Sequence, residues 1–312
     1  MRVMEAERPG GPEVLRHAER AVPEPGPTEV LVRVRAAGLN PVDWKTRAGG
    51  GLAGLLGPAP WVLGWDVAGE VAAIGGGVTR FAVGDAVFGM PRFPHAAGAY
   101  GEFVAAPSRQ FAHAPSAVGV VEAAALPLAA LTVWQALIEA AALEKGQRVL
   151  VHAAAGGVGH LAVQLAKWRG AHVIGTASAG KHARLRELGV DEPVDYRERP
   201  FEEQVRDVDV VFDLVGGECT ARSLAVLRAG GVLVCLPSTT GLPPADELER
   251  RGVRGIAPLV EPDGHALERI AALVDEGALR VDVAATAPLD RIADLHRLGE
   301  EGRTAGKLVA EV

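Results

Sequence analysis

Apolar and polar positions alternate with period two over "EVLVRVRAAGL", residues 29–39, as they do in a strand with one buried face. The alternation returns in "WDVAGEVAAIGGGV" and "FAVGDAVFGM", each closed by glycines, and again in "AYGEFVAAP". Short strands at close spacing with Gly and Pro turns predict a small barrel-like β-domain in the first third. Near residue 116 the texture changes. "VEAAALPLAALTVWQALIEAAAL" predicts a buried helix, and strands then alternate with helices. "RVLVHA" leads into a helix over 158–169, and "HVIGTA" into one over 180–188. "VDVVFDLV" leads into the helix "TARSLAVL", before the strand "GVLVCLPS". This alternation predicts a parallel, doubly wound sheet and an α/β fold class. Beyond about 261 come an amphipathic helix in "GHALERIAALVDEGAL", a strand in "RVDVAATAPL", a helix stopped by glycine, and a last strand in "KLVAEV".

Composition narrows the function. A chain of 312 residues, 48% hydrophobic and 23% charged, has the make-up of an ordinary globule able to bury a full core. A net charge of −7, with no Lys/Arg block, speaks against a nucleic-acid partner. Cys219 and Cys235 match no C-x-x-C spacing, so neither a disulfide framework nor a cysteine-rich zinc site is expected. The start "MRVMEAERPGGPEVL" has charges throughout and lacks the apolar core of a secretory signal. The run 123–143 is interrupted by Pro127, Gln135 and Glu139, which suits a buried helix better than a membrane span. A cytoplasmic location is the expectation.

Candidate chemistry begins at "RVLVHAAAGGVGHLAVQLAKW", which reads as strand, glycine turn and helix. A G-x-G-x-x-G fingerprint would place glycines at 154, 156 and 159; here stand Ala154, Gly156 and Gly159. Gly156 and Gly157, between Ala155 and Val158, let the backbone approach a pyrophosphate, and Gly159 lets the helix pack onto its strand. The helix N-terminus offers unpaired N–H groups to phosphate. Ala154 is tolerable in the tight turn if its φ stays negative. A plain turn in a parallel sheet is the other reading of the same residues.

The next strand end bears on which dinucleotide binds. An NAD site wants an acid after "HVIGTA" to grip the ribose 2′-OH. "TASAGKHAR" offers Ala177, Ser178 and Lys181, and no acid before Glu187. Ser178 and Lys181 suit a 2′-phosphate. Two charge-assisted hydrogen bonds of about 1.5–3 kcal/mol each would favour NADPH by on the order of 10² to 10⁴. Lys181 also reads as a solvated lysine at a helix start.

These segments, with "AAGLNPVDWKTRAGG", "AALPLAALTVWQAL", "VDVVFDLVGG" and the terminal "GKLVAEV", resemble the medium-chain dehydrogenase/reductase superfamily over nearly the whole chain. "NPVDWK" and "GWDVAG" are most similar to its zinc-free quinone-oxidoreductase and alkenal/enone-oxidoreductase branch. The resemblance implies a GroES-like β-domain of residues 1–115 and 262–312 and a Rossmann NADP(H)-binding domain of residues 116–261. It also implies a homodimer and a small-molecule quinone, enone or enal substrate.

Zinc is weighed through the same resemblance. Zinc-bearing alcohol dehydrogenases of the superfamily place a ligand cysteine where this chain has Asn40. Their G-H-E is "GWD" here, with Trp65 and Asp66, and an apolar residue near Leu128 takes a third cysteine's position. Without thiolate or imidazole at these places no tetrahedral zinc is expected.

Asn40 is a good helix N-cap, with Pro41 and Asp43 in the first turn, which accounts for both polar residues without chemistry. The resemblance places Asn40 beside the nicotinamide and Lys45 toward the substrate carbonyl, where an ammonium stabilises developing negative charge. Lys45 reads equally as a surface lysine, and Tyr100 as a packing residue of a turn. Further cofactor contacts implied are Thr132, Tyr196, Asp213 with Val215 and Gly216 at a strand end, and Ser238 at the next. The expectation is an NADPH-dependent reductase; a zinc-type alcohol dehydrogenase and a non-catalytic NADPH sensor are the alternatives.

Overall fold

A computed structural model describes residues 1–236 and 241–312 and divides the chain into two compact units. One comprises Met1–Leu131, Glu261–Gly277 and Val281–Val312; the other comprises Thr132–Val260 and Ala278–Arg280.

The first unit is built around the strand Glu29–Leu39. Val32, Val34 and Ala36 are buried while Arg33 and Arg35 are exposed, as the alternation requires; from Ala36 to Leu39 every residue is buried. This strand pairs antiparallel with Asp66–Ile74, Phe103–Pro107 and Lys307–Glu311 within a seven-stranded sheet. The register sets Leu308 opposite Leu39 and Asp66 opposite Gly38. Lys307, Asn40 and Asp66 therefore gather at one end of three neighbouring strands. The helix Val120–Ala124 packs on this sheet, which assigns it to the first unit. A Cβ on Gly38 would lie 2.3 Å from the Ala124 carbonyl oxygen and 3.0 Å from Asp66 Cβ, so the close approach needs glycine.

The single helix expected from "VEAAALPLAALTVWQALIEAAAL" is broken into three. Val120–Ala124 ends, Pro127–Val133 restarts, and Trp134–Ala140 winds as a π-helix. Proline at 127 has no N–H to continue the preceding turn and suits a helix start. The freed N–H of Leu128 goes to Asp66 Oδ1 at 2.7 Å, so the break turns a helix end toward the carboxylate.

The second unit carries six parallel strands in the spatial order Glu192–Asp195, His172–Ala177, Arg148–Val151, Val208–Asp213, Leu227–Cys235 and Arg254–Ile256. This is the doubly wound order whose direction reverses between Arg148–Val151 and Val208–Asp213, the switch point where such sheets take ligands. Both faces are covered, so the strands read as near-continuous apolar runs: Leu150, Ile174, Val211 and Leu233 share one core with Phe201, Val205 and Leu224. The helix expected over 158–169 is Gly159–Trp168, and the one expected over 180–188 is a 3₁₀ turn followed by His182–Glu187.

Candidate functional site

In the first unit the helix Pro41–Arg47 starts at the end of the central strand. Asp43 Oδ2 accepts the backbone N–H of Asn40 at 2.6 Å, completing the capping box. The side chain of Asn40 is committed further. Its Nδ2 donates to Asp66 Oδ2 at 2.8 Å, and its Oδ1 accepts from Lys307 Nζ. Lys307 also donates to the Leu39 carbonyl at 3.0 Å and lies 3.6 Å from Asp66 Oδ2. Lys307 and Asp66 are both buried. Burial pushes the lysine down and the aspartate up, and the charge of each opposes the shift of the other.

Behind Asn40 lies a second buried chain. Arg47, held by Glu300 and by the Gly10 carbonyl, donates to His296 Nδ1 at 3.1 Å, and His296 Nε2 meets the Tyr100 hydroxyl at 3.1 Å. Burial and the Arg47 charge push His296 down to about 3. Asp43 is buried with Oδ1 unsatisfied, and burial pushes it up to about 7 against the hydrogen bond from Asn40. Tyr100 does pack, as its sequence context suggests, but its hydroxyl also belongs to this network. Lys45, one turn along the same helix, is exposed and joins none of these contacts.

In the second unit the glycine turn joins Arg148–Val151 to Gly159–Trp168. The left-handed residue of the turn is Ala153, at φ 49°; Ala154 is spared. The strain of about 1–2 kcal/mol expected for a methyl in that region thus sits one residue earlier than the fingerprint's first glycine. Thr176 holds the turn, its Oγ1 accepting from Ala153 N at 3.2 Å and its carbonyl from Ala154 N at 3.1 Å. A Cβ at Gly159 would stand 2.3 Å from the Ala153 carbonyl oxygen, which is why the helix reaches its strand only through glycine. Gly156, Gly157 and Val158 stand partly exposed just before the helix start, with Ala155 buried ahead of them.

Ser178 and Lys181 bracket the 3₁₀ turn after His172–Ala177, both partly exposed. The acid missing from this stretch of sequence comes from the neighbouring strand. Asp195 pairs with Ala177 in register, and its Oδ2 accepts from Ala179 N at 2.9 Å. Hydrogen bonds from Arg197 N and Ala179 N hold its carboxyl below the usual range, with His182 and Arg197 close by. Tyr196 is half exposed, with the Arg197 guanidinium 5.8 Å from its ring centre.

Asp213 is wholly buried and turned toward its own loop: Oδ1 accepts from Val215 N at 2.8 Å and Gly216 N at 3.0 Å, and Oδ2 from Thr220. It shapes the strand-end loop while Val215 is exposed on it. Thr132 is buried in Pro127–Val133. Ser238 lies outside the described residues.

Comparison with known proteins places this arrangement. A family model described as the alcohol dehydrogenase GroES-like domain matches residues 26–116, and one described as zinc-binding dehydrogenase matches residues 188–309. The solved quinone oxidoreductase from Coxiella burnetii is 36% identical, with TM-score 0.92 over 100% of this chain and 99% of that one. A 2-methylene-furan-3-one reductase of Solanum lycopersicum is 34% identical over 93% of this chain and 73% of its own. The chain belongs to the quinone-oxidoreductase-like branch of the medium-chain dehydrogenase/reductase superfamily. The Escherichia coli quinone oxidoreductase complexed with NADPH, 29% identical, has TM-score 0.89 over 100% of both chains. As in that superfamily, a GroES-like domain accompanies a Rossmann sheet.

Zinc, which one family description names, does not fit this member. Asn40 hydrogen-bonds both Asp66 and the Lys307 ammonium, which also pairs with Asp66 at 3.6 Å, and Trp65 is buried with its Nε1 donating to the His95 carbonyl at 2.7 Å. A cation already stands among these donors, on Lys307. Among the described residues no three His, Cys, Asp or Glu side chains are grouped to hold a metal.

Sequence reasoning missed Lys307, Arg47 and His296. Lys307 opens the apolar strand "KLVA", and its burial against Asn40 follows from the pairing of Leu308 with Leu39, which the sequence does not show. Arg47 and His296 are 249 residues apart and carried no signal.

Proposed function

We propose that the protein is an NADPH-dependent oxidoreductase that reduces a quinone or the C=C of an α,β-unsaturated carbonyl without zinc. The observation that carries this reading is the glycine turn at the switch point of the six-stranded sheet, with its helix packed so closely that only glycine fits at 159. The relatives named as quinone oxidoreductase and as 2-methylene-furan-3-one reductase support the substrate class, and the relative complexed with NADPH supports the cofactor.

NADPH, when bound, supplies a hydride. The chain's own residues do the rest. Ala155, Gly156, Gly157 and Val158 with the helix start at Gly159 hold the pyrophosphate. Ser178, Lys181 and Tyr196 hold the adenosine ribose and its 2′-phosphate. Val215 and Gly216 contribute strand-end backbone contacts, with Asp213 setting their loop, and Ser238 contributes a hydroxyl. Thr132 and Asn40 face the nicotinamide. Lys45, exposed on its short helix, offers an ammonium to the oxygen on which negative charge develops when a β-carbon accepts hydride. Water protonates the product.

A cytoplasmic homodimer completes the reading, in keeping with the prevalence of two-fold dimers. The test is NADPH consumption by the purified protein against a panel of quinones, enones and enals. Turnover with at least one class is the expected outcome. Tight NADPH binding with no turnover on any acceptor would instead favour a sensor.

A further inference from the structure

We propose that Lys307 is a positioning residue of the reaction, acting through Asn40, whose side-chain amide it locks in a single orientation. The inference rests on the reading that Asn40 faces the nicotinamide.

An asparagine amide can turn over by 180°, exchanging a carbonyl oxygen for an NH₂ group. Two opposite charges decide which way this one points. Lys307 Nζ, all donor, faces Oδ1; Asp66 Oδ2, all acceptor, faces Nδ2 at 2.8 Å. The reversed amide would turn NH₂ on an ammonium and oxygen on a carboxylate, two repulsive contacts in a buried place. The pair is itself anchored. Asp66 Oδ1 accepts from Leu128 N at 2.7 Å, and Lys307 donates to the Leu39 carbonyl at 3.0 Å. The second Nδ2 hydrogen of Asn40 is left without a partner among the described residues, and its direction is thereby fixed.

A clasp between strands needs no lysine. Lys307 opens a strand whose next three residues, Leu308, Val309 and Ala310, are buried and apolar, and a methionine would fill the same space. Buried ion pairs replaced by well-packed apolar groups often leave stability unchanged or raised. A buried charge pair kept where the ammonium meets the oxygen and the carboxylate meets the NH₂ of one amide is explained by orienting that amide.

The test uses the full chain and the variants Lys307→Met, Lys307→Arg, Asn40→Ala and Asn40→Ala/Lys307→Met. Turnover by the wild type comes first: if it consumes no NADPH with any quinone, enone or enal, the functional reading falls and this inference with it. With an active wild type, Lys307→Met is expected to lower kcat at least about tenfold while KM for NADPH and acceptor stay within about threefold. Lys307→Arg should recover a substantial part of that loss. The double variant should be no slower than Asn40→Ala alone, because the two act as one unit. In the cofactor-free protein the Asn40 side-chain amide should exchange with solvent at least about tenfold faster in Lys307→Met than in wild type. A merely structural lysine would lower the melting temperature while leaving kcat per folded molecule and amide exchange unchanged, and that result overturns the proposal. If Lys307→Met does not fold, the decision passes to Lys307→Arg. Its kcat and amide exchange close to wild type support the proposal. Its kcat equal to that of Asn40→Ala, with the amide still protected, overturns it.

Discussion

Tyr100 and His296 meet inside the first unit, the hydroxyl 3.1 Å from Nε2, while Arg47 donates to Nδ1 on the other side of the ring. An arginine has only donors, so Nδ1 must be the accepting nitrogen and Nε2 carries the proton toward Tyr100. The ring is neutral. Its pKa falls from 6.5 to about 3, because burial and the Arg47 charge both disfavour the imidazolium. In the second unit His152, buried between Thr176 and Ser223, falls to about 4, chiefly by burial.

Both depressed histidines contribute stability that is fully present above their ordinary 6.5 and is lost as pH falls toward 4 and 3. Asp43 works in the other sense. Raised from 3.8 to about 7, it contributes stability at low pH that is lost as pH rises through 7. The two histidines together should outweigh the opposing Asp43, so melting temperature should drop between pH 6.5 and 4, and less steeply in His152→Asn and His296→Asn. Asp43→Asn should gain on wild type between pH 5 and pH 8. Melting curves across that range check both signs, and parallel profiles for wild type and variants would contradict them.

Gly159→Ala brings a methyl to 2.3 Å from a backbone oxygen that cannot swing away. Overpacking of this kind costs about 1–3 kcal/mol. The helix start must also shift, so NADPH affinity should fall at least about tenfold. Gly156→Ala, where the nearest atom would lie at 3.2 Å, should lose less of both. Isothermal titration with NADPH and thermal unfolding rank the two; equal affinities would contradict the placement of the phosphate.

Lys181 and Ser178 should give NADPH at least about a tenfold advantage over NADH, and Lys181→Ala should narrow it. Asp195, beside the same turn, sharpens the test. Asp195→Asn removes a negative charge and should widen the preference for NADPH, as long as Ala179 N keeps its acceptor. Equal dissociation constants for the two cofactors in the wild type would sink the assignment of this strand end.

Lys45→Met keeps the side-chain length and removes the charge from an exposed position on Pro41–Arg47. If the ammonium meets the developing oxyanion, kcat on the best enone should fall by more than about tenfold, since one such donor typically supplies about 10² to 10³. NADPH affinity should stay within about twofold. Unchanged turnover would leave Lys45 as a surface lysine.

The features legible in the sequence are those that local chemistry determines. Period two in 29–39, the strand–turn–helix around Gly159 and the box of Asn40 and Asp43 all rest on neighbours within a few residues. Positions that needed sheet register were hidden. Asp195 reaches the turn after Ala177 only because their strands pair in parallel. Lys307 reaches Asn40 only because Leu308 pairs with Leu39. The break at Pro127 is local, but the partner of the Leu128 N–H it releases, Asp66, lies 62 residues away in sequence. Asp213 shows the converse. Its place at a strand end was legible, while the turning of its carboxylate onto Val215, Gly216 and Thr220 was not.

The central claim is hydride transfer from NADPH by a chain that needs no zinc. It is tested most directly by steady-state NADPH oxidation with quinone and enone acceptors after exhaustive dialysis against a strong chelator. The account predicts that NADPH and acceptor are consumed one for one at a rate the chelator leaves intact, with deuterium from C4-labelled NADPH appearing on the β-carbon of the reduced enone. Activity that disappears on chelation and returns with zinc would contradict it.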